Sequence, residues 1–472
     1  MKHFFITLLA IILLSFSLSS AQNEIAGSWH GKIKMLTMDL EIQIKVERTN
    51  KTLNGYISIP SQKLSDYQLP VFTFRNNKVH FELPSQAGTA NFDGTLKSDS
   101  VKGKILQAGI QGSFYLVRGT LPNAPVQEIV KENEPLPYLE EEVAFKSGRI
   151  LLSGTLTIPK EEKKYPAVIL LTGNGPQNRD EEIFGFKIFY RIADYLTRKG
   201  FAVLRYDDRG VGGSTGNSMQ STTEDFAGDA QAAVEFLKKQ KNIDIRKIGL
   251  LGHSEGGMIA PMVASTSNDV AFIVLISAPG VDGGEVLLEQ QRLILKSSGV
   301  SDNLIQENLD LQRKINAALA GGRDMNDLRG DIQAFAEKDY ETLSTEIKNS
   351  IRDKNTYINS TVQSQILMFN NPWFRFYIRY NPAPTLKRVK IPVLMIFGEL
   401  DLQIPAAQNK AKMEEALTSG GNKNFKSVIF PKANHLYQEA KTGSPAEYGE
   451  LKKDFVPGFL DTIGEWISRT VK

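Results

Sequence analysis

Residues 248–264 read IGLLGHSEGGMIAPMVA. The first four are an apolar run of strand length, the last eight favour a helix, and Gly252-His253-Ser254-Glu255-Gly256 lies between them. Small residues on both sides of Ser254 permit a turn tight enough to lift its hydroxyl above the end of the strand. A second Gly-x-Ser-x-Gly match, Gly212-Gly213-Ser214-Thr215-Gly216, lacks that setting. The strand before it ends near Asp207 and the next helix starts only near Thr223, so Ser214 is expected in a loop. Context separates the two, and Ser254 is the candidate nucleophile.

Outward from this stretch the same alternation continues. Strand-like runs fall at Ala167–Thr172, Ala202–Tyr206, Phe272–Ile276, Val393–Phe397 and Lys426–Phe430, with helical periods at Ile188–Arg198 and Thr223–Lys239. Strands interleaved with helices predict an α/β domain over 141–472, built on a mostly parallel sheet. Residues from about 282 to 390 have helical spacing and no strand pattern, which predicts a helical lid inserted between two sheet strands. Its aromatics Trp373, Phe374, Phe376, Tyr377 and Tyr380 are expected mostly to pack the lid onto the body.

Upstream, 121–140 is rich in proline and acidic residues and reads as an extended linker. Residues 22–120 alternate apolar and polar residues in short runs, with turns at Asn54-Gly55, Asn76-Asn77 and Asp93-Gly94. They predict a small all-β domain, lipocalin-like or barrel-like, curling up-and-down; Gly27-Ser28-Trp29 resembles the Gly-x-Trp opening of lipocalin-like barrels. Residues 1–21 have the form of a signal peptide. Lys2 and His3 precede an apolar run from Phe4 to Leu14, and Ser19 and Ala21 suit cleavage before Gln22. An exported, periplasmic or extracellular protein without a transmembrane segment in the mature chain is therefore expected.

A serine hydroxyl needs a base before it can attack. The chain has five histidines, and only His435 follows Ser254. It comes just after the strand-like run Lys426–Phe430, where a loop at the sheet's C-terminal edge can present a base. Asp401, directly after Val393–Phe397, is the candidate to orient the imidazole; Glu399 and Asp282 are competing positions. The oxyanion requires two backbone N–H donors, expected from Glu255 and from the Gly173-Asn174-Gly175 loop, with Asn174 preferred and Gly175 next.

Four motifs in order carry a resemblance: Gly173-Asn174-Gly175-Pro176-Gln177-Asn178-Arg179-Asp180, Tyr206-Asp207-Asp208-Arg209-Gly210-Val211-Gly212, Gly252-His253-Ser254-Glu255-Gly256-Gly257 and Gly398-Glu399-Leu400-Asp401. Together they are similar to the bacterial secreted carboxylesterase branch of the α/β-hydrolases, near the serine aminopeptidase and dienelactone-hydrolase groups, over about 140–472. The resemblance implies an α/β-hydrolase fold and carboxylic ester hydrolysis through a Ser254–His435–Asp401 triad and an acyl-enzyme. It implies a structural role for Asp208 and Arg209.

Composition narrows the rest. With 56 basic and 53 acidic residues spread along the chain, the net charge of +3 leaves no footprint for nucleic acid. Absence of cysteine rules out disulfides, thiol catalysis and zinc–thiolate sites. No His-Glu-x-x-His occurs, and neither metal nor cofactor is expected. The expected partner is a small-molecule ester. Two alternatives remain open: a peptidase or amidase on the same triad, and a non-catalytic envelope- or glycan-binding protein.

Overall fold

The computed structural model describes residues 25–119 and 136–472, apart from short stretches at 36–37, 50–51, 60–63, 84–89 and 108–109 and parts of 343–352. The expected signal peptide at 1–21 and most of the expected linker lie outside the described residues. The chain divides into two compact units, residues 1–126 with 329–367, and residues 127–328 with 368–472.

The first unit carries nine antiparallel strands: β1 (Gly27–Met35), β2 (Met38–Thr49), β3 (Thr52–Ile59), β4 (Leu64–Gln68), β5 (Val71–Arg75), β6 (Lys78–Leu83), β7 (Ala90–Lys97), β8 (Ser100–Gln107) and β9 (Ile110–Arg118). Their order, β4-β3-β2-β1-β9-β8-β7-β6-β5, joins the first strand to the last and leaves the edges at β4 and β5. The up-and-down succession is thus a half-barrel rather than a closed barrel, and β4, with its polar Ser65, Asp66 and Gln68, escapes the alternation pattern. One face alternates inward, as in β7, where Ala90, Phe92, Gly94 and Leu96 are buried. Phe81 stacks on Phe92 at 4.3 Å, and Phe114 meets both edge-on. Trp29 is buried with its indole N–H on the Ile25 carbonyl, and the Arg118 guanidinium lies over the ring at 4.3 Å. Tyr357, from a helix at Lys354–Asn370, packs on this core.

The second unit is built on an eight-stranded sheet: β10 (Tyr138–Ser147), β11 (Ile150–Pro159), β12 (Tyr165–Leu171), β15 (Ala202–Tyr206), β16 (Ile243–His253), β17 (Phe272–Ile276), β18 (Val393–Gly398) and β19 (Phe425–Phe430), in the order β10-β11-β15-β12-β16-β17-β18-β19. Strands β13 (Glu182–Ile183) and β14 (Phe186–Lys187) form a separate small hairpin. Pairing is antiparallel for β10–β11 and β11–β15 and parallel from β15 to β19. Strands β12, β15, β17 and β18 are buried on both faces, so they read as apolar runs instead of alternating, interrupted in β15 only by the buried Arg205. The β10–β11 hairpin does not stand out in the sequence pattern: β10 is an edge strand in which Leu139, Glu140, Glu141 and Glu142 are exposed, and Tyr138–Glu140 falls inside the expected linker. Between β17 and β18 the described residues are helical, with helices at Gly283–Ser297, Asp302–Ala320, Arg329–Thr342, Lys354–Asn370, Pro372–Arg379 and Ala383–Arg388.

Candidate active site

Strand β16 runs to His253, and a helix begins at Gly256 (Gly256–Ala264), leaving Ser254 and Glu255 to make the whole turn. Ser254 adopts φ +53°, in the left-handed region that side chains avoid. Its N–H is held by the Ile276 carbonyl at 2.9 Å. A Cβ on Gly252 would collide with the Gly256 carbonyl, and one on Gly256 with the Leu171 carbonyl. The glycines on either side of Ser254 are therefore required by close backbone approach.

Ser214 occupies a different setting. It is buried; its hydroxyl donates to the Asp207 carbonyl at 2.7 Å and accepts the Ser153 N–H at 2.9 Å. Both hydrogen-bonding roles of the oxygen are engaged in bracing a loop.

His435 lies on the loop after β19, where Asn434 Oδ1 accepts the backbone N–H groups of Leu436 and Gln438 and so fixes the turn. Its Nδ1 meets Asp401 Oδ2 at 2.9 Å, with both side chains buried. Asp401 Oδ1 accepts the N–H groups of Gln403 and Ile404, each at 2.9 Å. Burial works to raise the Asp401 pKa, but the His435 charge and hydrogen bond, with those from Ile404 and Ser277, hold it below the usual carboxylate range. The competing acids are engaged elsewhere: Glu399 Oε2 accepts the Lys432 N–H, and Asp282 caps the helix at Gly283–Ser297 through the Glu285 N–H.

The loop after β12 passes directly over Ser254. A Cβ on Gly173 would lie 3.3 Å from that of Ser254. The Gly173 N–H is already committed to Glu181 Oε1 at 2.7 Å, whereas Asn174 is exposed. Across the turn, Glu255 precedes the first residue of its helix, where N–H groups lack intrahelical partners.

Three features do not emerge from sequence spacing. The side chain of Glu255 is buried, and its Oε1 accepts both the Thr223 hydroxyl at 2.7 Å and the Trp373 indole N–H at 2.6 Å. Burial pushes its pKa up to about 7, against those two hydrogen bonds. Trp373 stacks on Tyr377 and joins an apolar cluster with Met258, Val281, Val286 and Ile404. The third is His253, whose ring bridges Glu181 and the His435 backbone. Glu181 precedes His253 by 72 residues, and no spacing rule links them.

Asp208 and Arg209 sit behind the loops. Asp208 accepts from the Thr172 hydroxyl and the Gln177 N–H, each at 2.8 Å. Arg209 makes a two-point contact with Asp229 at 2.6 and 2.9 Å.

A family model described as alpha/beta hydrolase fold matches residues 166–442. The chain is 30% identical over 430 residues to Esterase EstD of Thermotoga maritima, covering 90% of this chain and 89% of that protein. It is 23% identical over 386 residues to Dipeptidyl-peptidase 5 of Porphyromonas gingivalis, covering 79% of this chain and 46% of that one. A solved Pyrococcus furiosus esterase aligns with a TM-score of 0.43 at 16% identity, covering 71% of this chain and 92% of that one.

Proposed function

We propose, from the premise that the chain belongs to the α/β-hydrolase family, that it is an exported serine esterase acting on carboxylic esters of small molecules. The observation that carries this reading is the buried Asp401–His435 pair at 2.9 Å, with the His435 backbone carbonyl 2.9 Å from the ring of His253, the residue just before Ser254. Similarity to an esterase along 90% of the chain supports it.

In this mechanism Ser254 Oγ attacks the ester carbonyl while His435 Nε2 takes its proton. Asp401 accepts the Nδ1–H and stabilises the imidazolium. Negative charge develops on the carbonyl oxygen, and the backbone N–H groups of Asn174 and Glu255 receive it. His435 then protonates the departing alcohol, leaving the acyl group on Ser254. A water, deprotonated by the same imidazole, releases the acid and restores the serine. The apolar cluster of Met258, Val281, Val286, Tyr377 and Ile404 supplies one wall for the acyl chain, and the helices of the same unit at Gly283–Ser297 and Pro372–Arg379, which carry Val286 and Tyr377, act as the lid.

A panel of p-nitrophenyl esters of increasing acyl length, run beside aminoacyl anilides, tests the reading. Ester turnover well above anilide turnover is expected. Faster anilide cleavage would favour a peptidase, and an inert protein would favour a binding role. For export, mass spectrometry of the mature protein is expected to find Gln22 at the N-terminus; Met1 there would remove that part of the proposal.

A further inference from the structure

Gln177, in the loop that passes over Ser254, is buried although its side chain is polar. A polar group held there needs a hydrogen-bond partner, and its Nε2 donates to the backbone carbonyl of Asn174 at 3.1 Å. That carbonyl can only accept, so the nitrogen end of the amide must face it. The chain bends at 174–176, with Gly175 at φ +90°. In an ordinary four-residue turn the backbone N–H of the last residue closes onto the carbonyl of the first. Here the Gln177 N–H is taken by Asp208 Oδ2 at 2.8 Å, and the side-chain amide closes the bend instead. The backbone from which it reaches is braced. The Gln177 carbonyl receives the Asp208 N–H at 3.0 Å, and the Arg179 N–H goes to Asp207 Oδ1 at 2.8 Å.

We propose that Gln177 is a positioning residue that holds the Asn174 N–H in place for the oxyanion, by anchoring the peptide plane that follows it. The inference rests on the esterase reading given above, in which Asn174 and Glu255 supply the oxyanion donors. Peptide units are rigid planes hinged at the Cα atoms. The plane before the donor is anchored where the Gly173 N–H meets Glu181 Oε1 at 2.7 Å. The plane after it is anchored where the Asn174 carbonyl meets Gln177. The middle plane, which carries the Asn174 N–H, therefore hangs between two fixed Cα atoms. Turning it over would carry φ of Asn174 from the negative range toward the left-handed region, which side chains disfavour.

Glycines on both sides, Gly173 and Gly175, leave this stretch few conformational limits of its own. The restraint has to come from side chains outside it, Glu181 on one side and Gln177 on the other. A donor aligned before negative charge develops needs no reorganisation when it does, which is where such a group contributes to the rate.

Gln177→Met tests the proposal, because methionine keeps the length and bulk of the side chain and loses the donor. On p-nitrophenyl acetate kcat is expected to fall about 30-fold, with KM changed by less than about 3-fold, since the carbonyl oxygen engages the donor most strongly once charged. A trifluoromethyl ketone, whose adduct with a serine places a negative oxygen where the ester's would form, is expected to bind more weakly by a similar factor. A folded variant that keeps its kcat, or that loses kcat while binding the ketone as tightly as the parent, would overturn the proposal. A crystal structure of the unaltered protein carrying the ketone adduct gives a second route should the variant not fold. The Asn174 N–H is expected within hydrogen-bond reach of the adduct oxygen, with the Gln177 amide still on the Asn174 carbonyl. An Asn174 N–H turned away, or a Gln177 amide directed elsewhere, would overturn the proposal. Failure of the esterase reading is separately visible, as absence of ester turnover and of a ketone adduct on Ser254 in the unaltered protein.

Discussion

At Ser254 a φ of +53° costs a non-glycine residue about 1–2 kcal/mol, a strain that the Ile276 carbonyl and the packing of two glycines hold in place. The proposed attack makes that strain functional, since it sets the hydroxyl above the sheet. Ser254→Ala is expected to lower kcat on esters by about 10⁴-fold or more. Ser214→Ala should leave kcat within about 3-fold and instead cost roughly 1–3 kcal/mol of stability, because it leaves the Ser153 N–H and the Asp207 carbonyl without their partner. Comparable kcat losses from both would contradict the separation. Glu255 gives a pH test. Its folded value of about 7 lies above the ordinary 4.5, so the folded state binds more protons between the two. Stability should therefore fall as pH rises through that window and level off above it, by about 3 kcal/mol at most. Glu255→Gln is expected to flatten this dependence and to raise Tm at pH 8; an unchanged slope in thermal melts at pH 5, 6, 7 and 8 would count against it. Ser254, His435 and Asp401 were legible as candidates because order along the chain and a five-histidine inventory left few choices. Glu181, His253 and Trp373 were not, because their contacts join residues 72 and 118 apart with no shared motif.

Among the elements, the turn between β16 and its helix depends on backbones approaching closer than any side chain permits. A Cβ on Gly256 would strike the Leu171 carbonyl of β12, so Gly256→Ala must push the helix away from the sheet. The expected cost is about 3 kcal/mol, read as a lower midpoint in urea, with ester turnover falling as well. A variant with the parental midpoint would mean that the turn is looser than described. Parallel strands were readable because burial on both faces leaves compact apolar runs such as Val393–Phe397. Edge strands were less so. β10 pairs on one side only and exposes Leu139 to Glu142, so composition marks it as linker although its backbone is fully paired with β11.

For the molecule as a whole, the division into units does not follow the order of the chain. Residues 329–367 lie between β17 and β18 in sequence yet form one compact unit with the nine-stranded sheet, whose core Tyr357 joins. Helical spacing and chain continuity predict a lid of the hydrolase domain for this stretch, because neither carries a sign of which core a helix packs on. A protein beginning at Leu136 keeps Ser254, Asp401 and His435 but deprives Tyr357 of its packing surface. It is expected to turn over a short-chain ester with kcat near the parental value, while melting at a lower temperature and binding more of a dye specific for exposed apolar surface. A folded truncated protein without activity would show that the β-rich unit completes the site. The central claim is that Ser254 is the nucleophile of an esterase, and covalent labelling tests it most directly. The full-length protein would be treated with a fluorophosphonate until ester turnover stops, then digested and mapped by mass spectrometry. A single adduct on Ser254, appearing in step with the loss of turnover, is the predicted result. An adduct on another residue, or turnover that survives complete labelling of Ser254, would contradict it.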